Sequence, residues 1–162
     1  MIKLFHFPIC PFSRRVRLSL CEMNVAFSMI NENIWDERRE FLALNPAGTL
    51  PLIIDEDDNI IINTYAIIEY IEEKFKDDDT NLSYISGDIY QKAEIRRLID
   101  WFDNKFYREV TKVIIRELID KYYQKDELDN TSPNMELVRL AQENSFYHFD
   151  YISHLINSRR WI

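Results

Sequence analysis

Cys10 followed by Pro11 is the pair in this chain best suited to chemistry. It stands where the apolar run Ile2-Lys3-Leu4-Phe5-His6-Phe7 stops and the amphipathic run Arg14-Arg15-Val16-Arg17-Leu18-Ser19-Leu20 starts. Proline favours the first position of a helix, where its missing N–H costs nothing, so Pro11 makes Cys10 the expected N-cap. A thiol there faces unpaired backbone N–H groups and the positive end of the helix dipole. Both favour the thiolate and predict a pKa below the free value of about 8.5. Arg14 and Arg15, in the next turn, act in the same direction. A strand that delivers such a cysteine to a helix mouth is a site for sulfur chemistry; the plain alternative is a small cysteine that only packs. Cys21 lies further along the same helix, ~16 Å away by helical rise. That is too far for a disulfide, and Cys21 reads as a core residue.

Two other places carry backbone groups a ligand could use. Leu50-Pro51 opens the apolar run Leu52-Ile53-Ile54. Proline is tolerated at a strand's first residue, and an X–Pro bond there is open to the cis form, which would present the N–H and C=O of Leu50 to a peptide-like ligand. An ordinary trans proline in a loop is the alternative. Thr64, after Asn63, reads as the N-cap of the next helix, whose free N–H groups either hold a carboxylate or are simply capped. His6, His148 and His154 are scattered without metal-ligand spacing and read as structural, so no metal site is expected.

The elements that must position these residues follow from apolar spacing. Residues 2–7 predict a buried strand, Pro11 to about Met23 a helix, and Val25–Ile30 a second strand. Glu37–Leu44 predicts a helix ended by the turn Asn45-Pro46-Ala47-Gly48. Leu50–Ile54 and Ile60–Ile62 predict a hairpin across an acidic turn, and Thr64–Phe75 a strong helix. The order β-α-β-α-β-β-α implies an α/β layer with parallel pairing and one antiparallel hairpin. Lys76–Asn81 is charged and reads as a connection. Beyond it the pattern is helical. Asp88 to about Leu118 predicts one helix or a broken pair, ~45 Å long at the α-helical rise. Lys121–Thr131 reads as a polar connection. Ser132 is the expected cap of a last helix with Pro133 at its first position and Leu137, Val138, Ala141, Phe146, Phe149, Ile152, Leu155 and Ile156 on its apolar face. The expected organisation is residues 1–76 as an α/β domain, 77–87 as a linker and 88–162 as an all-α domain.

Apolar residues at 46% suffice for a core, and the net charge of −8 argues against nucleic acid or an anionic membrane as partner. No export signal and no run of the ~18 apolar residues needed to span a bilayer are evident. With only two cysteines, the chain reads as cytoplasmic and reduced.

Three segments, CPFSRRVRL at 10–18, NPAGTLPLI at 45–53 and NTYAIIEYIEE at 63–73, in this order and spacing, resemble the glutathione transferase family. The front end is most similar to its cysteine-type, omega and glutaredoxin-like members, with some zeta-like features. The resemblance implies a thioredoxin-like N-terminal domain that binds glutathione, followed by an all-α C-terminal domain that is incomplete here. It implies that Cys10 is catalytic, that the Leu50 backbone meets the cysteinyl part of glutathione with Pro51 cis, that Asn63 and Thr64 hold the γ-glutamyl group, and that Phe12 lines the site. Asn63 and Thr64 depart from the Glu/Gln-Ser pair usual in the family. Ser13 replaces the second cysteine of a Cys-x-x-Cys motif, which implies a monothiol route, and it is placed to hydrogen-bond the thiolate. The implied activity is glutathione-dependent thiol transfer or conjugation on a small electrophile or disulfide, in detoxification or redox work, by a homodimer. The alternatives are a non-catalytic binding protein of the same fold, similar to the stringent starvation protein that associates with RNA polymerase, and a zeta-like isomerase.

Overall fold

The computed structural model describes residues 1–75, 83–123 and 132–158. The charged connection Lys76–Asn81, the polar segment from 124 to 131 and the terminal Arg159-Arg160-Trp161-Ile162 lie outside them. The chain divides into two compact units, Met1–Tyr84 and Ile85–Ile162.

The first unit follows the order β1 (Ile2–His6), α1 (Pro11–Glu22), β2 (Phe27–Asn31), a 3-10 turn (Ile34–Asp36), α2 (Arg39–Leu44), β3 (Leu52–Ile54), β4 (Ile60–Ile62) and α3 (Thr64–Phe75). The four strands form one sheet in the order β2-β1-β3-β4. β1 and β2 are parallel, as the helical crossover α1 requires, while β1–β3 and β3–β4 are antiparallel. This is the thioredoxin-like arrangement the sequence led us to expect.

Strand alternation divides the core between the two faces of the sheet. Ile2, Leu4 and Ile53 pack against Val16 and Leu20 of α1 and Ile67, Ile68 and Ile71 of α3. Phe5 and Leu52 pack against Phe41 of α2. Cys21, expected in this core, is instead exposed. The inner stripe of α1 is Ser13, Val16, Ser19 and Leu20, and the residue after Leu20 is turned ~100° away from it.

The β3–β4 hairpin is pinned by the buried Asp55. Its carboxylate accepts the N–H groups of Asp57 and Asn59 at 2.9 and 2.8 Å, the Asn59 side-chain amide at 3.0 Å, the Tyr70 hydroxyl, and Lys74 Nζ at 3.0 Å. Donors from Tyr70 first, then Asn59 and Lys74, outweigh burial and hold this carboxyl well below the usual range. The folded pKa is depressed, so its stabilising contribution is complete above the unfolded value of about 3.9 and is lost as pH falls below it. Urea unfolding between about pH 5 and pH 2 is therefore expected to show a steeper acid limb for the native chain than for Asp55→Asn, which carries no titrating carboxyl there.

The second unit is helical. It begins at a capping box, in which Asp88 and Gln91 satisfy each other's backbone N–H at 2.8 Å. A helical run then continues through α4 (Ile89–Asp100), a π-helical stretch (Trp101–Thr111), α5 (Lys112–Ile115), a second π stretch (Arg116–Asp120) and α6 (Lys121–Tyr123). The last helix, α7 (Met135–Ser158), packs on it through Val138, Ala141, His148 and Leu155. Trp101 Nε1 can only donate, so the fully buried His148 accepts it at Nδ1 (3.1 Å) and directs its Nε2 proton to Glu109, 3.0 Å away. This structural role agrees with the sequence reading of His148.

Two expectations for α7 are corrected. Its cap is Asn134, whose Oδ1 accepts the N–H groups of Glu136 and Leu137 at 3.0 and 3.3 Å, and not Ser132. Pro133 therefore precedes the cap. Leu137, Phe146, Phe149 and Ile156 are exposed rather than buried, because they lie on the flanks of the stripe that meets the other helices. No helix among the described residues is long and apolar enough to cross a membrane.

Candidate functional site

Strand register brings the three sequence segments to one end of the sheet. Phe5 pairs with Leu52, and Leu52 pairs with Ile62. The exit of β1 towards Cys10, the entry of β3 from Pro51 and the exit of β4 towards Asn63 therefore lie side by side. β2 ends there too, since His6 pairs with Asn31. Four chain segments begin or end at one place, and the ends of scaffold strands and the loops they carry are where ligand sites form.

Cys10 is the N-cap of α1, with extended backbone angles and Pro11 as the first helical residue. The residue is half-buried and its Sγ accepts the N–H of Ser13 at 3.5 Å. That N–H is one of the first-turn donors without an intrahelical partner. Ser13 is fully buried and its hydroxyl accepts the Phe7 N–H at 3.4 Å, so Ser13 offers the sulfur its amide while its Oγ helps to hold the loop. Phe12 is half-buried at the same helix mouth.

Leu50-Pro51 is a cis peptide bond, with Pro51 buried and Leu50 half-buried at the entry of β3. The turn before it depends on Asn45, which sequence reading treated only as punctuation. Asn45 is buried; its Oδ1 accepts the Ala47 N–H at 3.1 Å and its Nδ2 donates to the Thr49 carbonyl at 2.7 Å. Gly48 takes φ +62°, the left-handed region that the close of this turn requires. An asparagine ahead of Pro-x-Gly is the signal that could have identified it.

Asn63 and Thr64 are adjacent to the site, with their capping roles exchanged relative to expectation. Asn63, not Thr64, caps α3: its Oδ1 accepts the Tyr65 N–H at 2.9 Å and its carbonyl accepts the Ile67 N–H at 2.9 Å. Thr64 is the first helical residue and is buried, whereas Asn63 is exposed. Asn63 has φ +80°, which asparagine tolerates better than other residues with a side chain. Asn63→Ala loses both the cap and that tolerance and is expected to cost about 2 kcal/mol, while Asn63→Gly keeps the tolerance at a position where glycine is an acceptable cap and costs only about 0.3 kcal/mol. Paired denaturant titrations measure the difference.

Two other groups border the Cys10 loop. Phe7 and Trp35 meet edge to face at 5.0 Å between ring centres. His6, buried beneath the loop, lies 3.2 Å through Nδ1 from the Arg17 guanidinium. Burial first, and then Arg17, push the His6 pKa below its ordinary value, against a hydrogen bond with the Phe7 backbone. The ring is therefore neutral at pH 7 and its Nδ1 is an acceptor. Among the described residues no group of three or more His, Cys, Asp or Glu side chains is placed to hold a metal ion.

The geometry agrees with the comparisons to known proteins. Residues 4–79 match the family model described as "Glutathione S-transferase, N-terminal domain". The chain is similar to FtsZ-localized protein A of Caulobacter vibrioides, 34% identical over 98% of this chain and 68% of that protein. It is similar to glutathione S-transferase U1 of Arabidopsis thaliana, 29% identical over 64% of this chain and 45% of that one. The crystal structure of a glutathione S-transferase from Rhodospirillum rubrum F11 superposes with a TM-score of 0.89 at 35% identity, covering 99% of this chain and 69% of that one. The chain thus spans about two thirds of the length of the first and last of these proteins and under half of the plant transferase.

Proposed function

The chain belongs to the glutathione S-transferase family, and we propose that it carries out glutathione-dependent thiol transfer with Cys10 as the attacking thiolate. The observation that carries this reading is the half-buried Cys10 at the mouth of α1, its Sγ 3.5 Å from the Ser13 amide, at the sheet end where the β3 entry and the α3 N-terminus also lie. In the proposed cycle Cys10 S⁻ attacks the glutathione sulfur of a mixed disulfide, GS–SR. The S–S bond breaks, RS⁻ leaves and takes a proton, and Cys10 is left joined to glutathione. A second glutathione thiolate attacks that bond, releasing oxidised glutathione and restoring Cys10 S⁻. No second cysteine is needed, in keeping with Ser13 at the position a dithiol mechanism would use.

Glutathione would lie with its cysteinyl part along the Leu50 backbone at the β3 edge, its γ-glutamyl group near Asn63 and the first turn of α3, and its sulfur near Cys10 and Phe12. Conjugation of glutathione to a small electrophile in the same groove is the variant in which Cys10 only polarises the glutathione thiol. Under either chemistry we assign the protein to the reducing cytoplasm as a homodimer, with roles in detoxification or redox balance.

A second reading, a binding protein without turnover, is favoured by the match along 98% of the chain to a protein named for its localisation to FtsZ. The partner considered is then an FtsZ-containing assembly rather than RNA polymerase. Calorimetric titration with glutathione, together with the rate of reduction of a cysteine–glutathione mixed disulfide, separates the two. Saturable binding with turnover supports the enzyme. Absence of both leaves the binding protein.

A further inference from the structure

The loop that carries Cys10 has little apolar packing of its own, since Pro8 and Ile9 are both exposed. Polar contacts therefore fix it. The Cys10 N–H donates to the Phe7 carbonyl at 3.1 Å and closes the turn from 7 to 10. The Phe7 N–H reaches Ser13 Oγ at 3.4 Å. Both ties lie within the loop or the first turn of α1. The third comes from the next turn of the helix. Arg17 Nη2 donates to the Pro8 carbonyl at 3.1 Å, and its Nη1 lies 3.2 Å from His6 Nδ1. One planar guanidinium thus grips an acceptor on each side of Phe7 and ties the end of β1 and the middle of the loop to the helix whose mouth holds the sulfur.

We propose that Arg17 is a positioning residue for Cys10: by bridging His6 Nδ1 and the Pro8 carbonyl it holds the β1–α1 loop so that the Cys10 sulfur stays over the Ser13 amide. The role comes from the shape of the guanidinium rather than from its charge. A lysine at 17 keeps the charge but is a single point donor and cannot span both acceptors. The inference rests on the reading of Cys10 as the reacting group.

The test follows alkylation by iodoacetamide at pH 7 in the full chain. Because Cys21 is exposed, the measurement is made in a Cys21→Ser background, where Cys10 is the single thiol. Arg17→Lys, which can keep only one of the two hydrogen bonds, is expected to slow Cys10 alkylation about fivefold, the effect of losing one ordinary hydrogen bond, and Arg17→Met, which loses both, to slow it at least as much. A melting curve for each variant establishes that it is folded, and Arg17→Lys serves if Arg17→Met is not. In the reciprocal Cys10→Ser background, Cys21 alkylation is expected to be unchanged by either substitution, which a general loosening of α1 would not leave so. The proposal is overturned if Arg17→Lys retains the native rate, if both variants retain it, or if the Cys21 rate moves with that of Cys10. Glutathione takes no part in this assay. Failure of the glutathione reading would appear separately, as absent turnover by a chain whose Cys10 alkylates normally.

Discussion

Cys10→Ser is expected to bind glutathione with native affinity and to reduce mixed glutathione disulfides at the uncatalysed rate, a loss of roughly a thousandfold or more. A serine hydroxyl is not ionised near pH 7 and forms no disulfide, so the proposed cycle has no first step. The substitution is otherwise mild. Cys10 caps α1 through its side chain, and serine is a better N-cap than cysteine, so the Ser13 N–H keeps an acceptor and the variant should melt no lower than the native chain. Stopped-time assays with a cysteine–glutathione disulfide measure the turnover, and calorimetry measures the binding. Retained turnover in the variant would sink thiol transfer through Cys10. Lost disulfide turnover with retained addition of glutathione to an aromatic halide would identify conjugation as the chemistry.

Leu20→Ala carries the largest expected effect on stability, about 3 kcal/mol, as is usual for a leucine wholly removed from solvent. Leu20 belongs to the cluster in which α1 and α3 meet Ile2, Leu4 and Ile53 of the sheet. Its truncation leaves a void between the helix that presents Cys10 and the strands that border the site. The surroundings cannot close that void cheaply, because Val16, Ile67 and Ile71 around it are equally buried. Denaturant unfolding of the isolated variant measures the loss. A change under about 1 kcal/mol would mean that α1 is not locked onto the sheet through this face. Leu18→Ala on the exposed side of the same helix is the control and should change little.

Several features needed only local order to be read. Pro11 after a cysteine marked the helix start, because the missing N–H of proline is harmless at that position alone. The β-α-β-α-β-β-α order came from the change in apolar period between 2 and 3.6, and the structure follows it through Phe75. Caps were less legible. Asn63 and Asn134 cap their helices where Thr64 and Ser132 were expected, because asparagine, serine and threonine can all cap and the position of the first helical turn decides between neighbours.

Local sequence by itself therefore determined the element types, the sulfur at a helix mouth and the segments that border it, since each depends on contacts within one turn or one strand. Tertiary structure decided which of those segments meet. The sheet order β2-β1-β3-β4 brings Cys10, Pro51 and Asn63 to one edge through pairings between residues far apart in the chain. Tertiary structure also decided the fate of individual side chains: Cys21 turned to solvent, the Ser13 hydroxyl spent on the Phe7 amide, and Arg17 bent back to the Pro8 carbonyl. The facing of Cys21 depends on which stripe of α1 meets the sheet, and the other two on how far a side chain reaches once the backbone is folded, which no local pattern encodes.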